Sequence, residues 1–306
     1  MHPSEATPSA LNSPVDPGNA MDSAGAGDPG PLVSQSGHAP CPACGDAGAA
    51  ALSFVYVIGR IEARFPRQAA EKEFTQVTAR SDAKGKTDRE AFHAVLRQRE
   101  NRYLVRELCW VLTVQGLETY LLQPRDPTDF DLLVEAIRPR PSPMDLDVVI
   151  GLRGPLAPPE MCNGLMVPVV AFDQIYSFDR QALIGAIPAP QGMERDALAQ
   201  AAEEVFDRIM QMTDNAGATD DHRALNYLAM RYPAIYTTAA EQFARNASLT
   251  AIEVRPSTLG GTRRIADCIY AFTNRTTDVV EKYFARVDVT EEFPFLVSKM
   301  SHYYDR

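Results

Sequence analysis

The sequence predicts an α+β fold in which mixed and antiparallel sheets pack against helices, with antiparallel strands at the C-terminal end. Strand-like and helix-like segments follow one another in groups, without the regular strand–helix–strand order of a doubly wound sheet. Hydrophobic residues make up 45% of the 306 residues and charged residues 23%, so the chain can bury a core that needs no disulfides.

The first 40 residues differ in composition from the rest of the chain. They are rich in Pro, Gly, Ser and Ala and contain no aromatic residue, so they have too little apolar surface to offset the entropy of ordering. We therefore expect a disordered tail over residues 1–40, an α+β subdomain over 41–195, and a helical plus antiparallel-strand subdomain over 196–306.

The sequence carries no secretory or membrane signal that we recognise. No Lys or Arg precedes Arg60, so the positive region that opens a secretory signal is missing. No apolar run reaches the ~18 residues of a spanning helix. We expect a cytoplasmic protein whose five cysteines stay reduced.

In the first part of the foldable chain, the β-branched and aromatic run Phe54–Ile58 predicts a strand. The polar stretch 66–85 predicts irregular structure. Asp88 is the residue type of an N-cap and predicts a helix that begins at Arg89. Apolar residues at helical spacing predict a second helix over 101–114.

The middle of the chain reads as strands with a short helix between them. Strands are predicted over 117–122, 146–150 and 165–171, and the helix over 130–137. A loop rich in proline, residues 155–164, separates the last two strands.

The C-terminal part begins with helices and ends with strands. An amphipathic helix is predicted over 196–212, and Asp220 or Asp221 is expected to cap the next one, with Pro233 as a kink or a new start. Antiparallel strands are predicted over 251–254, 264–274 and 281–289.

Residues with catalytic potential are scattered along the sequence. We find no Gly-x-Ser-x-Gly elbow, Walker loop, dinucleotide-binding glycine pattern or His-Glu-x-x-His motif. Asp145 and Asp147 share one face of a predicted strand, where an exposed edge is the ordinary environment. Glu160 and Asn163, in the proline-rich loop, are candidate contacts for a substrate or a peptide.

The charge balance excludes some classes of partner. Lys and Arg number 30 against 40 Asp and Glu, a formal net charge of −10. An acidic chain repels phosphate backbones and anionic headgroups, so we expect neither nucleic acid nor membrane as a partner. The doublet Arg263-Arg264 is expected to be a solvated turn. The charge balance does not decide whether the chain forms a homodimer.

Cys41-Pro-Ala-Cys44 is the sharpest local motif. Two thiolates at this spacing can bind one tetrahedral metal ion, and a zinc site is favoured over a redox pair or a plain loop. A redox pair is disfavoured because thioredoxin-type motifs open a helix after a strand, whereas this motif follows the tail. The remaining candidate ligands are His38, Cys109, Cys162 and Cys268.

Four blocks of sequence, taken together, resemble one known family. They include Leu108-Cys-Trp-Val-Leu-Thr113 with Gly116-Leu-Glu-Thr-Tyr120, Pro158-Pro-Glu-Met-Cys-Asn-Gly164, Asp214-Asn-Ala-Gly217 with Arg223-Ala-Leu-Asn-Tyr227, and Val287-Asp-Val-Thr-Glu-Glu-Phe-Pro294. Over roughly residues 41–306 the chain is similar to the C-terminal domain of unknown function of the cyanobactin maturation proteases of the PatA/PatG type. In those proteases the domain follows a subtilisin-like region, which this sequence lacks.

The resemblance implies a role in the biosynthesis of ribosomally synthesised, post-translationally modified peptides, and no established reaction. Our leading hypothesis is a non-catalytic binding or scaffolding module for a precursor peptide or a maturation enzyme, for which an exposed C-terminal strand edge would be suited. The alternative is an enzyme that modifies or processes a peptide through the Pro158–Gly164 loop.

The resemblance also selects the ligands of the expected zinc ion. Cys41, Cys44, Cys109 and Cys162 all fall within the resembling region, and we expect them to hold one structural zinc. Cys268 is then left free, and His38 is the substitute ligand if Cys109 faces the core.

Overall fold

A computed structural model describes residues 53–80, 85–212 and 214–304 of the chain. The predicted tail, His38, Cys41 and Cys44 lie outside these residues. Within them the chain forms eight α-helices and nine strands, and the strands are arranged in two sheets. The predicted α+β class is therefore confirmed. None of the described helices combines the length and the apolar character needed to span a bilayer.

The first sheet contains five strands and the second contains four. The strands are β1 (Phe54–Arg64), β2 (Cys109–Val114), β3 (Leu117–Pro124), β4 (Asp145–Leu156), β5 (Pro168–Asp179), β6 (Ala247–Pro256), β7 (Ile265–Asn274), β8 (Val280–Asp288) and β9 (Phe295–His302). The helices are α1 (Gln68–Arg80), α2 (Asp88–Leu96), α3 (Arg102–Glu107), α4 (Phe130–Ala136), α5 (Arg180–Gly185), α6 (Arg195–Met210), α7 (Asp220–Arg231) and α8 (Ala234–Ala244).

The five-stranded sheet closes into a barrel with the strand order β1-β2-β3-β5-β4. The long strand β1 pairs with β4 through its first half and with β2 through its second half. It changes partner at Gly59, where a Cβ atom would lie 2.4 Å from the Thr113 carbonyl oxygen, so a side chain would not fit there. The parallel pair β3–β5 completes the circle.

This barrel has the topology of an OB-fold. Helices α1, α2 and α3 all lie in the connection between β1 and β2, and α4 lies between β3 and β4. In OB-folds, chain-like ligands bind on the face of strands 2 and 3, between the β1–β2 and β4–β5 connections. The corresponding surface of this barrel is the outer side of β2 and β3.

The segment 101–114 does not form the single helix that its apolar spacing predicted. Helix α3 ends at Glu107, and Cys109–Val114 is strand β2, in which every residue is buried. A short apolar run cannot be assigned to a helix or a strand by periodicity alone. The strand is apolar on both sides because Trp110 and Leu112 join the barrel core, whereas Cys109 and Val111 belong to a separate cluster outside it.

The segment 66–85 was predicted as irregular, but Gln68–Arg80 forms helix α1. Its sequence is mostly polar, and only Ala70 and Phe74 are buried. The ring of Phe74 packs against Phe92 of α2 at 4.6 Å and against Phe65 at 5.5 Å. Tertiary packing of one aromatic ring therefore stabilises a helix that its own pattern does not indicate.

The second sheet has the order β6-β7-β8-β9 and is antiparallel throughout. Helices α6, α7 and α8 share one apolar cluster with a face of this sheet and with Tyr56, Ile58, Val148 and Ile150 on the outside of the barrel. The sequence predicted three of its strands and missed β9. The predicted division at residues 195 and 196 coincides with the start of α6 and stays a prediction.

A polar contact joins the segment before α7 to the barrel. The Tyr56 N–H donates to the Gly217 carbonyl at 2.9 Å, and the Asn226 side-chain amide donates to the Tyr56 carbonyl at 2.8 Å. Asn215 and Asn226 bond each other through their side chains. Gly217 has φ +67°, and a Cβ there would lie 2.4 Å from the Tyr56 carbonyl oxygen. The sequence block Asp214–Tyr227 thus includes residues that join α7 and the segment before it to the barrel.

Candidate functional site

One outer face of the barrel is covered by the chain itself. We call it the barrel wall and define it by the buried or half-buried side chains of Cys109 and Val111 on β2, Leu121 on β3 and Val169 on β5. The β4–β5 connection, residues 157–167, lies on this wall and is called the covering loop. It contributes Ala157, Cys162, Leu165 and Val167 to an apolar cluster that is separate from the barrel core.

The covering loop has a closed neck and a tightly turned tip. At the neck, the Ala157 N–H donates to the Val167 carbonyl at 2.9 Å. At the tip, the Gly164 N–H donates to the Pro159 carbonyl at 2.7 Å, and Asn163 and Gly164 both have positive φ, 46° and 85°. Asparagine and glycine are the residues that adopt this backbone region with the least strain, so the sequence Asn163-Gly164 favours the turn.

A disulfide between Cys109 and Cys162 holds the covering loop on the barrel wall. The two Cα atoms are 5.8 Å apart, within the usual range for a disulfide, and the residues are separated by 53 positions in the chain. This pairing differs from the expectation that all five cysteines are reduced. The reason is that β2 is a strand, which turns Cys109 outwards beneath Cys162, whereas a helix was expected there.

The structure brings together two of the four predicted zinc ligands, Cys109 and Cys162. Cys41 and Cys44 lie outside the described residues, so the complete set stays a prediction. Cys268 is buried and free on β7, as expected, and burial raises the pKa of its thiol well above the ordinary value. Across residues 53–80, 85–212 and 214–304, no group of three or more His, Cys, Asp and Glu side chains is arranged to hold a metal.

The other predicted site residues, Glu160 and Asn163, lie at the tip of the covering loop, whereas Asp147 lies inside the barrel. Glu160 and Asn163 are both exposed, and Glu160 lines neither of the two cavities beside the loop. Asp147 is buried instead of lying on an exposed edge. Its carboxylate accepts hydrogen bonds from the Ile61 N–H at 3.0 Å and the Ser177 hydroxyl at 2.6 Å, and burial raises its pKa. Asp147 therefore supports β1 and β5 rather than a reaction.

Two cavities flank the covering loop and share Cys162. The first, about 270 Å³, lies between the end of α3, strand β3 and the loop; its apolar lining includes Leu108, Pro127, Phe130 and Met161. The second, about 360 Å³, lies on the other side and is lined by Arg64, Phe65, Glu118, Asn163 and Gly164. The loop thus covers the barrel wall and meets open space on both of its sides.

Sequence reasoning missed a group of cations beside the first cavity. Arg102 and Arg106 are four residues apart on α3 and so share a helical face, and Arg99 lies in the short 3-10 turn that precedes this helix. Arg106 lines the cavity. The signal was available, since residues 97–106 contain four arginines in a chain with a net charge of −10. By contrast, both arginines of the doublet Arg263-Arg264 form ion pairs. Arg263 pairs with Asp288 at 2.6 Å and Arg264 with Asp220 at 3.0 Å.

Comparisons with known proteins relate this chain to one domain type. Residues 192–303, from just before α6 to just after β9, match the family model described as PatG C-terminal. A solved structure titled "PatG Domain of Unknown Function" matches with a TM-score of 0.66 and 21% sequence identity, over 82% of this chain and 98% of that one. No curated protein matches the chain. The shared fold therefore extends beyond the matched region into the barrel.

Proposed function

We propose that this chain, whose residues 192–303 form a domain of the PatG C-terminal type, is a non-catalytic recognition module in the biosynthesis of ribosomally synthesised, post-translationally modified peptides. Its ligand is a precursor peptide or a maturation enzyme that presents a peptide segment. The observation that carries the proposal is the first cavity, which opens beside the covered barrel wall, on the side of the barrel where OB-folds bind chain-like ligands. It lies between the β1–β2 connection and the covering loop.

The arrangement of the covering loop favours binding over catalysis by this loop. A general acid or base has to reach the substrate from a cleft that partly excludes water. Glu160 is exposed at the tip, and no hydrogen bond or ion pair engages it within the described residues. Cys162 instead points inwards and fixes the loop to β2. The loop therefore resembles a rigid side of a binding groove.

The C-terminal edge of the second sheet is a weaker binding surface than the first cavity. Strand β9 is one of the two edge strands, but the N–H groups of Leu296 and Met300 donate to the hydroxyls of Tyr227 and Tyr232 at 3.2 and 2.8 Å. A peptide that added a strand there would have to replace both bonds. These tyrosines protect the edge from strand addition.

A structural zinc ion held by Cys41, Cys44, Cys109 and Cys162 is part of the proposal. Cys109 and Cys162 are within bonding distance of each other and supply thiolates from two segments when reduced. The Ser53 carbonyl accepts from the Arg153 N–H at 2.7 Å, so the chain reaches β1 beside the end of β4, close to the covering loop. Cys44 precedes Ser53 by nine positions, which span up to ~30 Å when extended. Such a site would secure the covering loop to the start of the fold.

The proposal is tested with the full chain and the precursor peptide encoded beside its gene. Binding should raise the melting temperature with increasing peptide concentration, because a ligand of the native state stabilises it by mass action. Mass spectrometry of the peptide after incubation should detect no change. A change in peptide mass would contradict the non-catalytic assignment, and loss of that change in Glu160→Gln would assign the reaction to the covering loop. Absence of any thermal shift would contradict recognition of that peptide.

A further inference from the structure

The three arginines beside the first cavity form a cationic strip on the surface. We call Arg99, Arg102 and Arg106 the arginine row. At ~1.5 Å per residue, Arg102 and Arg106 are roughly 6 Å apart along α3, and Arg99 extends the row beyond the start of the helix, a length that matches a few residues of an extended peptide. Arg99 and Arg106 are exposed and Arg102 is half-buried, so the guanidinium groups are accessible.

Two members of the arginine row lack a carboxylate partner among the described residues. Arg102 pairs with Asp131 at 2.5 Å, and the neighbouring Glu107 pairs with Arg67 at 2.6 Å. The side chains of Arg99 and Arg106 form no ion pair or hydrogen bond in the described part of the chain. In a protein with ten more acidic than basic side chains, unpaired cations at one place favour an anionic ligand there.

The cavity beside Arg106 is suited to an apolar group of the ligand. Its walls include Leu108, Phe130 and the thioether of Met161, and its volume is about 270 Å³. Small-molecule sites occupy ~300–1,000 Å³, so this cavity lies just below that range and has room for an aliphatic side chain. Methionine at a binding surface adapts to different apolar side chains.

We infer that the first cavity and the arginine row recognise an acidic peptide segment, with an aliphatic side chain in the cavity lined by Met161 and with carboxylates on Arg99 and Arg106. The inference rests on the proposed function and specifies its ligand. The segment lies across the end of β2 and β3, between the arginine row and the covering loop. Ion pairs at the rim orient it, and the apolar contact supplies affinity.

A nucleic-acid strand would gain the same ion pairs, but the surface favours a peptide. The arginine row holds only three cations, and the rest of the chain is acidic and repels a polyanion. The cavity requires an aliphatic group, which a sugar–phosphate backbone does not carry. A peptide with mixed acidic and aliphatic residues satisfies both features.

The test uses fluorescence anisotropy of the full chain with a short labelled peptide in which leucine alternates with glutamate. Arg106→Glu and Arg99→Glu should each weaken binding roughly fivefold, and the double variant more than tenfold, because repulsion replaces an exposed ion pair. Lys299→Glu on β9 makes the same charge change on an exposed residue of the other sheet, and should change binding by less than about twofold. Replacing leucine by serine in the peptide should also abolish most of the binding.

Three results would overturn the inference. They are an unchanged affinity in the double variant, an equal loss in Lys299→Glu, and tighter binding of a labelled single-stranded oligothymidine than of the peptide. These outcomes are distinct from failure of the proposed function. If the natural precursor binds but is chemically altered, the module assignment fails while the surface stands. If the natural precursor binds the double variant with the wild-type affinity and is not chemically changed, the inference about this surface fails and the module assignment stands.

Discussion

Asp173 on β5 and Glu292 in the β8–β9 connection bond the same guanidinium nitrogen of Arg125, at 2.5 and 3.2 Å. One carboxylate comes from the barrel and the other from the second sheet, so this cluster joins the two parts of the fold. Burial, together with the neighbouring Asp173 carboxylate, raises the pKa of Glu292 to about 7. Glu292 is therefore protonated in the folded protein under mildly acidic conditions.

The first prediction is a loss of stability as pH rises through about 7. The pKa of Glu292 is 4.5 in a free peptide and about 7 in the fold, so its protonated form stabilises the fold at low pH and this contribution disappears as the folded-state group ionises. Glu292→Gln keeps a neutral donor for Asp173. It should raise the free energy of unfolding by roughly 1 kcal/mol at pH 8 and change it little at pH 5, after allowance for solvent screening.

Urea denaturation at the two pH values measures this difference. Glu253→Gln, at an exposed position on β6, is the control and should leave the pH dependence as it is. A pH profile of Glu292→Gln that runs parallel to that of the wild type would contradict the shared environment of Glu292 and Asp173.

The second prediction concerns Arg223, which is 1% exposed. Its guanidinium donates to the carbonyls of Val289, Glu291 and Glu292 and lies 5.4 Å from the centre of the Phe54 ring. Arg223→Ala leaves those carbonyls without a donor and should lower the free energy of unfolding by roughly 3–5 kcal/mol. Chemical denaturation measures it. Arg97→Ala on the surface is the control and should stay within about 0.5 kcal/mol of the wild type.

The third prediction compares two glycines that both have positive φ. At Gly217 (φ +67°) a methyl group would collide with the Tyr56 backbone, whereas at Gly116 (φ +81°) nothing lies within 4 Å. Gly116→Ala should cost about 1 kcal/mol, the strain of the backbone conformation alone. Gly217→Ala should cost at least ~3 kcal/mol, because the chain must also move away from β1. Equal melting temperatures for the two variants would show that the close approach to β1 does not matter.

The fourth prediction concerns the oxidation state of Cys109 and Cys162. Protein purified without reductant should yield a disulfide-linked peptide pair from these cysteines, and protein purified with reductant should carry one zinc per chain, since a metal site needs free thiolates. Cys44→Ser should abolish the zinc and lower stability, whereas Cys268→Ser should behave as a mild change in the core. Elemental analysis and non-reducing peptide mapping measure both states. Less than stoichiometric zinc in reduced protein, with unchanged stability after chelation, would contradict the metal site.

The family resemblance turns out to involve residues with mainly structural contacts. Asn215, Gly217 and Asn226 join the second part of the chain to β1, and Arg223 holds the β8–β9 connection. All of these belong to sequence blocks on which the resemblance was based. A resemblance carried by such residues indicates the fold and leaves the chemistry open, because these residues maintain the fold.

The sequence by itself determined the fold class and most of the elements. The strand at Phe54, the helix over Arg195–Met210 and the strands β7 and β8 have local signals, because side-chain periodicity and capping act over a few residues. The turn at Asn163-Gly164 is of the same kind, since these residues tolerate positive φ.

Only the tertiary structure decided the conformation of Cys109–Val114 and, with it, the site. That run is apolar at every position, and it becomes a strand because the barrel core contacts one side and the covering loop the other. The pairing of Cys109 with Cys162 and the cavity beside Arg106 follow from contacts between residues far apart in the chain. Such contacts depend on the closure of the barrel, which no local pattern encodes.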